Sequence, residues 1–355
     1  MNKLVPANDL LIYFDGSDTV AVVSKSKRKF RVKKSYLDRI SEWSSSRSNK
    51  ELDQVDLDLV KNGILTRKSD YYEWEGDRES LFAHFNIKDY SNPPEEIIGK
   101  DSIKYKSLEF AKDKIVPEKF RHPNCLGIVE LPPSSMNDIP DISLRDVLQS
   151  RMTCRDFRGK SCSIEELSTL LHANFQWENK AGLDNLSKNN LSPLNAVFRT
   201  APSATGLQMH EVFVGILNVE NTENGIYHYR LESNKQILQR VSNDFSDDIL
   251  IKATRGQDWA KGLSFVIFLV SDMKKMWVKT RTAKGYGVAY LEAGHISQNV
   301  QLVSSALGLN TWITGSFFDK ILEKILVIDN FNHLFCPFLV GVGYSHPSRV
   351  AEVFC

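Results

Sequence analysis

The stretch that most restricts what this chain can fold into is GVAYLEAGHISQNVQLVSSALGLN, residues 287–310. Its pattern is that of a long helix ending at Gly308, and its apolar positions nearly encircle it. A helix like that is buried, either in a core or in an interface between copies. Ala289, Ala293, Gly294 and Ser297 are small enough to let another helix approach closely. His295 lies in the same run. A histidine packed in a core helix is usually a hydrogen-bonded structural group, and Glu292 and Gln298 on neighbouring turns are available to satisfy it. Such a helix needs apolar partners, and EVFVGIL, GIYHY, LSFVIFLV and PFLVGVG read as buried strands.

The 355 residues leave room for more than one domain. With 45 basic against 44 acidic residues, no global field steers the chain towards nucleic acid or an anionic membrane. The first residues, MNKLVPANDLLIYFDG, carry Pro and Asp within a short apolar run, so they are neither a signal peptide nor a membrane span. No apolar stretch approaches the roughly 20 residues a transmembrane helix needs. Cys125, Cys154, Cys162, Cys336 and Cys355 are scattered and odd in number, without a CxxC pair or a histidine pair at zinc spacing. Reduced thiols in a cytoplasm, and no structural metal site, are the expectation.

Three regions follow from the pattern. Residues 1–90 read as a small α+β domain: LLIYFDG and TVAVVSK suit a hairpin, and Tyr36, Ile40 and Trp43 are spaced for a helix. A further helix, a stop at Gly63 and a wing-like strand complete a winged-helix-like plan. The basic run from Lys25 to Lys34 alternates with Phe30 and Val32, as expected of one solvated strand face. A leader-peptide-binding edge is the alternative. Residues 91–140, with NPPEE, RHPN and ELPPSSMNDIPD, form a proline-bearing linker or wrapping arm. Residues 141–355 hold the main domain, in which Ser143 and Ser163 are N-caps of helices and KAGLDNLSKNNLSP is a polar loop.

Four stretches carry chemistry. RMTCRDF sets Arg151 and Arg155 around Thr153, just after an amphipathic run. Two guanidinium forks and a hydroxyl suit a phosphate, with a solvated helix end as the alternative. PSATGLQ is a turn whose Ser203, Thr205 and Gly206 bring backbone donors close to a ligand. Thr314, Gly315 and Ser316 allow the same close approach after the long helix, and Arg349 follows the last strand as a third cation for the phosphate. The GVG at 341–343 lacks the helix-opening third glycine of a dinucleotide fingerprint, which disfavours a Rossmann dehydrogenase.

Taken in order, these stretches resemble the FMN-dependent nitroreductase superfamily from roughly Ser143 to Phe354. RMTCRDF is similar to its opening RRSxRxF, PSATGLQ to its PSxxNxQ turn, and LEAGHISQNVQLVSSALGLNTWITGSF to its helix and loop. ENGIYHYRLESNKQILQRV, RGQDWAKGLSFVIFLV and LEAGH further resemble the azoline dehydrogenases of thiazole/oxazole-modified peptide biosynthesis, of the streptolysin and microcin type. The resemblance implies an α+β fold with a central, mostly antiparallel sheet flanked by helices, in an intertwined homodimer with FMN at the interface. It implies that Arg151, Thr153, Arg155 and Arg349 hold the FMN phosphate, that Ser203 and Gln208 lie near the ring, and that Gly315 and Ser316 present donors to the ring edge. The implied substrate is a modified precursor peptide, and the implied company a cyclodehydratase.

Three departures qualify the match. Met152 stands where the family has a second basic residue, and Gly206 where it has Asn. The Lys–Tyr dipeptide found upstream of the LEAGH helix in azoline oxidases is absent, which leaves Lys279, Lys284 and Tyr286 as candidates for the proton-accepting role. The alternatives are an NAD(P)H-dependent reductase of dehydroamino acids or of nitro or quinone compounds, and a non-catalytic scaffold that binds a precursor peptide.

Overall fold

The computed structural model describes residues 4–26, 28–45, 52–70, 74–87, 117–178, 198–278 and 280–345. Lys279, Arg349 and the loop at 180–193 lie outside the described residues. The chain divides into two units, residues 1–102 with 282–284, and residues 103–281 with 285–355.

In the first unit, β1 (Leu4–Pro6) pairs with β5 (Leu65–Arg67), and β2 (Leu10–Asp15), β3 (Asp18–Val23) and β4 (Arg28–Arg31) form a second antiparallel sheet. Gly16, at φ +60°, closes the tight β2–β3 hairpin where Asp15 faces Asp18. On β4, Phe30 packs against the core while Arg31 points out to Asp18 at 3.2 Å. Helices α1 (Lys34–Ser45) and α2 (Gln54–Lys61) cover a core of Val23, Ile40, Trp43, Leu59, Ile64 and Leu65, and α3 (Arg78–Ile87) follows. A capping box starts α2: the Asp56 amide donates to Asp53, and Asp56 accepts the Asp53 amide in return. The fully buried Asp56 carboxylate also accepts from the Trp43 indole at 2.7 Å and from Arg39 at 3.2 Å.

The second unit is built on a seven-stranded sheet in the order β11-β12-β10-β7-β8-β9-β6, with every neighbouring pair antiparallel. The strands are β6 (Gly127–Glu130), β7 (His210–Ile216), β8 (Gly225–Glu232), β9 (Lys235–Ser242), β10 (Phe265–Asp272), β11 (Asn310–Thr314) and β12 (Leu334–Gly343). Around them lie α4 (Leu144–Ser150), α5 (Ile164–Leu171), α6 (Asp247–Ala253), α7 (Met273–Trp277), α8 (Lys284–Ala306) and α9 (Asp319–Ile325). Strand β10 is buried along its whole length, and its alternation divides the core. Phe265, Ile267 and Leu269 meet residues of α5 and α8 on one face; Val266, Phe268 and Val270 meet α6 and α9 on the other.

Ser143 and Ser163 cap α4 and α5 through their hydroxyls, as their sequence positions predict. Within the proline-bearing stretch before residue 140, β6 adds an edge strand to the sheet. Helix α8 buries Ala289, Ala293, Ile296 and Val300, while Tyr286, Tyr290, Leu291, Gly294 and His295 are exposed in the single chain. The expectation of a core-packed His295 is therefore corrected: its position on the helix turns it outward, and Glu292 is engaged elsewhere. No helix among the described residues is long and apolar enough to cross a membrane.

Candidate active site

The segment RMTCRDF leaves α4 through Arg151, whose amide caps the helix on the Val147 carbonyl, and then runs extended beside β11. The Cys154 amide donates to the Thr311 carbonyl at 2.8 Å, and Thr153 forms a parallel bridge with Thr311. Buried Cys154 and Phe157 anchor the segment, leaving Arg151, Thr153 and Arg155 partly exposed. Arg151 Nη1 reaches Gln301 Oε1 of α8 at 3.4 Å. Arg155 lies over the Trp259 ring, its guanidinium carbon 5.8 Å from the centroid.

The turn at 202–208 is shaped by its own backbone. Gly206 has φ +68° and Gln208 φ +49°, both in the left-handed region. Glycine and asparagine are the residues that enter this region most readily, so Gly206 in place of Asn preserves the turn. The Gln208 amide donates to Ser203 Oγ at 3.1 Å, closing the loop on itself. The Ala204 amide donates to Glu292 Oε2 at 2.9 Å. Glu292 is 2% exposed, and burial raises its pKa despite that hydrogen bond.

Helix α8 thus holds two of the expected segments, the turn through Glu292 and the arginine segment through Gln301. Nine residues of α-helix separate these contacts, about 13.5 Å along the axis. Past β11, Gly315 and Ser316 are exposed, and the Ser316 amide is already satisfied by Thr314 Oγ1 at 2.9 Å. A Cβ on Gly315 would meet Phe338 at 3.4 Å, an ordinary contact. Lys284 and Tyr286, at the start of α8, are exposed, and the Tyr286 ring lies 5.4 Å from that of Phe335.

Beside the turn sits a cluster of buried charged and titratable groups that the sequence did not single out. Lys275 of α7, 6% exposed, pairs with Glu211 Oε1 at 2.6 Å. The other Glu211 oxygen faces Nε2 of the fully buried His228 at 3.4 Å. Burial alone would push the Glu211 carboxyl up, but the His228 contact and the Lys275 charge hold it at about 2. His210 meets Ser271 Oγ through Nδ1 at 3.1 Å, and burial pushes it down to about 3, so it is neutral. Lys275 also reaches the Gln208 carbonyl at 3.4 Å, which ties the cluster to the turn. Gly206, Leu207 and Gln208 share with Lys275, Glu211 and His210 the wall of a cavity of about 330 Å³. The signals that could have revealed this were the polar pair His210–Glu211 opening an apolar strand, and Lys275 lodged among methionines in DMKKMW.

The donor set suits a phosphorylated flavin: a guanidinium, Arg151, on Gln301 of α8 with Thr153 and Arg155 following on the same extended segment, and a tight backbone turn fixed by the buried Glu292 carboxylate of the same helix. The sequence pattern of the Nitroreductase family matches residues 148–344. A Methanocaldococcus jannaschii protein bearing a nitroreductase name is 25% identical over 200 residues, which cover 56% of this chain and 92% of that protein. A crystal structure of a nitroreductase-named protein from Anabaena variabilis superposes with a TM-score of 0.52 at 20% identity. That match covers 78% of this chain and 49% of the other, so the chain spans about half the length of that protein. The E. coli microcin synthetase McbBCD complex, with truncated pro-MccB17 bound, gives a TM-score of 0.44 at 21% identity, covering 73% of this chain and 85% of that one.

Proposed function

Since the chain belongs to the nitroreductase family, we propose that it is an FMN-dependent dehydrogenase that oxidises thiazoline or oxazoline rings to thiazole or oxazole in a ribosomally made peptide. The hydrogen bond between Ala204 and Glu292 carries the proposal. It joins the LEAGH stretch, which resembles the azoline dehydrogenases, to the turn that resembles the flavin-facing one. Arg151, Thr153, Arg155 and Arg349 would hold the phosphate, Ser203 and Gln208 would lie along the ring, and Gly315 and Ser316 at its edge.

Bound FMN would supply the acceptor for a hydride, with oxygen restoring it for the next turnover. The chain's part is to orient the azoline ring and take up the proton lost from its ring carbon. Lys279, Lys284 and Tyr286 are the groups proposed to receive that proton, at Nζ or at the phenolate oxygen. The exposed stripe of Tyr286, Tyr290, Leu291, Gly294 and His295 on α8 is the proposed seat of a second copy, giving a homodimer. Within the first unit, β2 is an edge strand with Leu11, Ile12 and Phe14 exposed, and offers a ladder for an extended precursor peptide. A cyclodehydratase would deliver the azoline-bearing peptide.

The test is the visible spectrum of the purified protein, followed by anaerobic addition first of NADPH and then of an azoline-containing peptide. A flavin band bleached by the peptide and not by NADPH is the expected result. Bleaching by NADPH alone replaces the dehydrogenase with a reductase of dehydroamino acids or of nitro or quinone compounds. A colourless protein that takes up no added FMN removes the flavin site and leaves the scaffold alternative.

A further inference from the structure

The cavity beside the turn contains a cation with no hydrogen-bond or ion-pair partner among the described residues. Arg199 lines it, partly exposed, with a buried Nε that has no hydrogen-bond partner. Among the described residues no carboxylate forms an ion pair with it. Burial lowers its pKa, and the acidic groups Glu178, Glu211 and Glu292 act on it only across a distance. The other buried cation of this wall, Lys275, is held by Glu211. Arg230 is engaged by Gln239 and Glu232, and Arg121 by Glu232. A guanidinium partly withdrawn from water, with a buried Nε that no group meets, gains most from an anion that replaces its lost hydration, and this one faces a cavity.

We infer that this cavity is a substrate pocket for an aromatic carboxylate, with Arg199 as its anchor. The guanidinium fork suits a carboxylate held by two parallel hydrogen bonds. Phe120, Phe175 and Tyr229 supply aromatic wall. A volume of about 330 Å³ lies at the small end of ligand pockets, the size of a single aromatic acid or one terminal residue. Neutral His210 does not compete for the anion; of the two carboxylates in the wall, Glu211 is already engaged by Lys275 and His228, and Glu178 makes no ion pair with Arg199. Neither Arg151 nor Arg155 lines the cavity, which separates it from the proposed phosphate site. The inference rests on the proposed function only for the flavin as neighbour across the turn.

The test is calorimetric titration of the full-length protein, as purified, with benzoate and with benzamide, its uncharged analogue. Benzoate is expected to bind and benzamide not. R199Q is expected to weaken benzoate by about tenfold or more, the loss of a charge-assisted contact. Because it removes a partly buried charge that makes no ion pair among the described residues, R199Q should also melt no lower than the wild type when no acid is present. Equal binding of benzoate and benzamide, no binding of either, or undiminished binding to R199Q overturns the assignment. So does an R199Q protein that loses FMN while the wild type ignores benzoate, since the cavity then belongs to the flavin. Should R199Q fail to fold, the benzoate–benzamide contrast in the wild type still decides. Competition by Gly-Gly-Phe as the free acid, and not as the amide, identifies a peptide terminus as the source of the carboxylate. Competition by small acids alone identifies a free acid. Benzoate binding to a colourless protein upholds the pocket and removes the flavin; a yellow protein that ignores benzoate does the reverse.

Discussion

At the scale of single residues, the site depends on buried charges that were placed in pairs. Glu211 is held at about 2, against an ordinary 4.5, by His228 and Lys275, although burial opposes it. A carboxyl whose pKa is depressed on folding stabilises the fold above its unfolded pKa, and this stability is lost as pH falls towards the folded value. The contribution should be complete above about pH 4.5 and decline towards pH 2, a displacement worth roughly 3 kcal/mol. Glu211→Gln leaves Lys275 buried beside a neutral amide. It should cost about 3–5 kcal/mol at neutral pH and flatten the acid limb of the stability curve. Denaturant unfolding from pH 7 down to pH 2 measures both. An unchanged acid limb would mean that the pair contributes nothing to stability.

At the scale of elements, α8 organises the unit by having two different sides. Its inward side carries Glu292 to the turn and Gln301 to Arg151, and packs Ala289, Ala293 and Ile296 into the core. Its outward side sets Tyr290 at 56% and Leu291 at 66% exposure, an apolar stripe that a lone chain leaves in water. If a second copy covers that stripe, Leu291→Glu should convert the dimer to a monomer, because each copy would bury an unpaired carboxylate against the other's apolar stripe. Light scattering during size-exclusion chromatography reads the outcome. A variant that remains dimeric places the interface elsewhere. Flavin content measured on the same fractions shows whether the cofactor depends on the pair.

At the scale of the whole molecule, the two units have separate cores, one around Trp43 and Leu59, the other on the two faces of β10. Asp56→Ala removes the acceptor of the Trp43 indole, the partner of Arg39 and half of a capping box. It should destabilise the first unit by about 2–4 kcal/mol while leaving the visible spectrum of the FMN proposed for the second unit unchanged. Thermal melts followed by tryptophan fluorescence and by flavin absorbance separate the two effects. The sequence by itself determined the buried strands β7, β8, β10 and β12, the caps at Ser143 and Ser163, the hairpin at Gly16 and the order of the candidate segments. Those features are written in local periodicity and turn chemistry. Only the tertiary structure decided that His295 faces outward and that Glu292 reaches the turn. It also decided that Lys275, Glu211 and His228 meet beside a cavity where Arg199 has no ion-pair partner among the described residues. Their contacts join residues 17 to 88 positions apart in the chain, and no local pattern records which strand will lie beside which, or which side of a helix the core will claim.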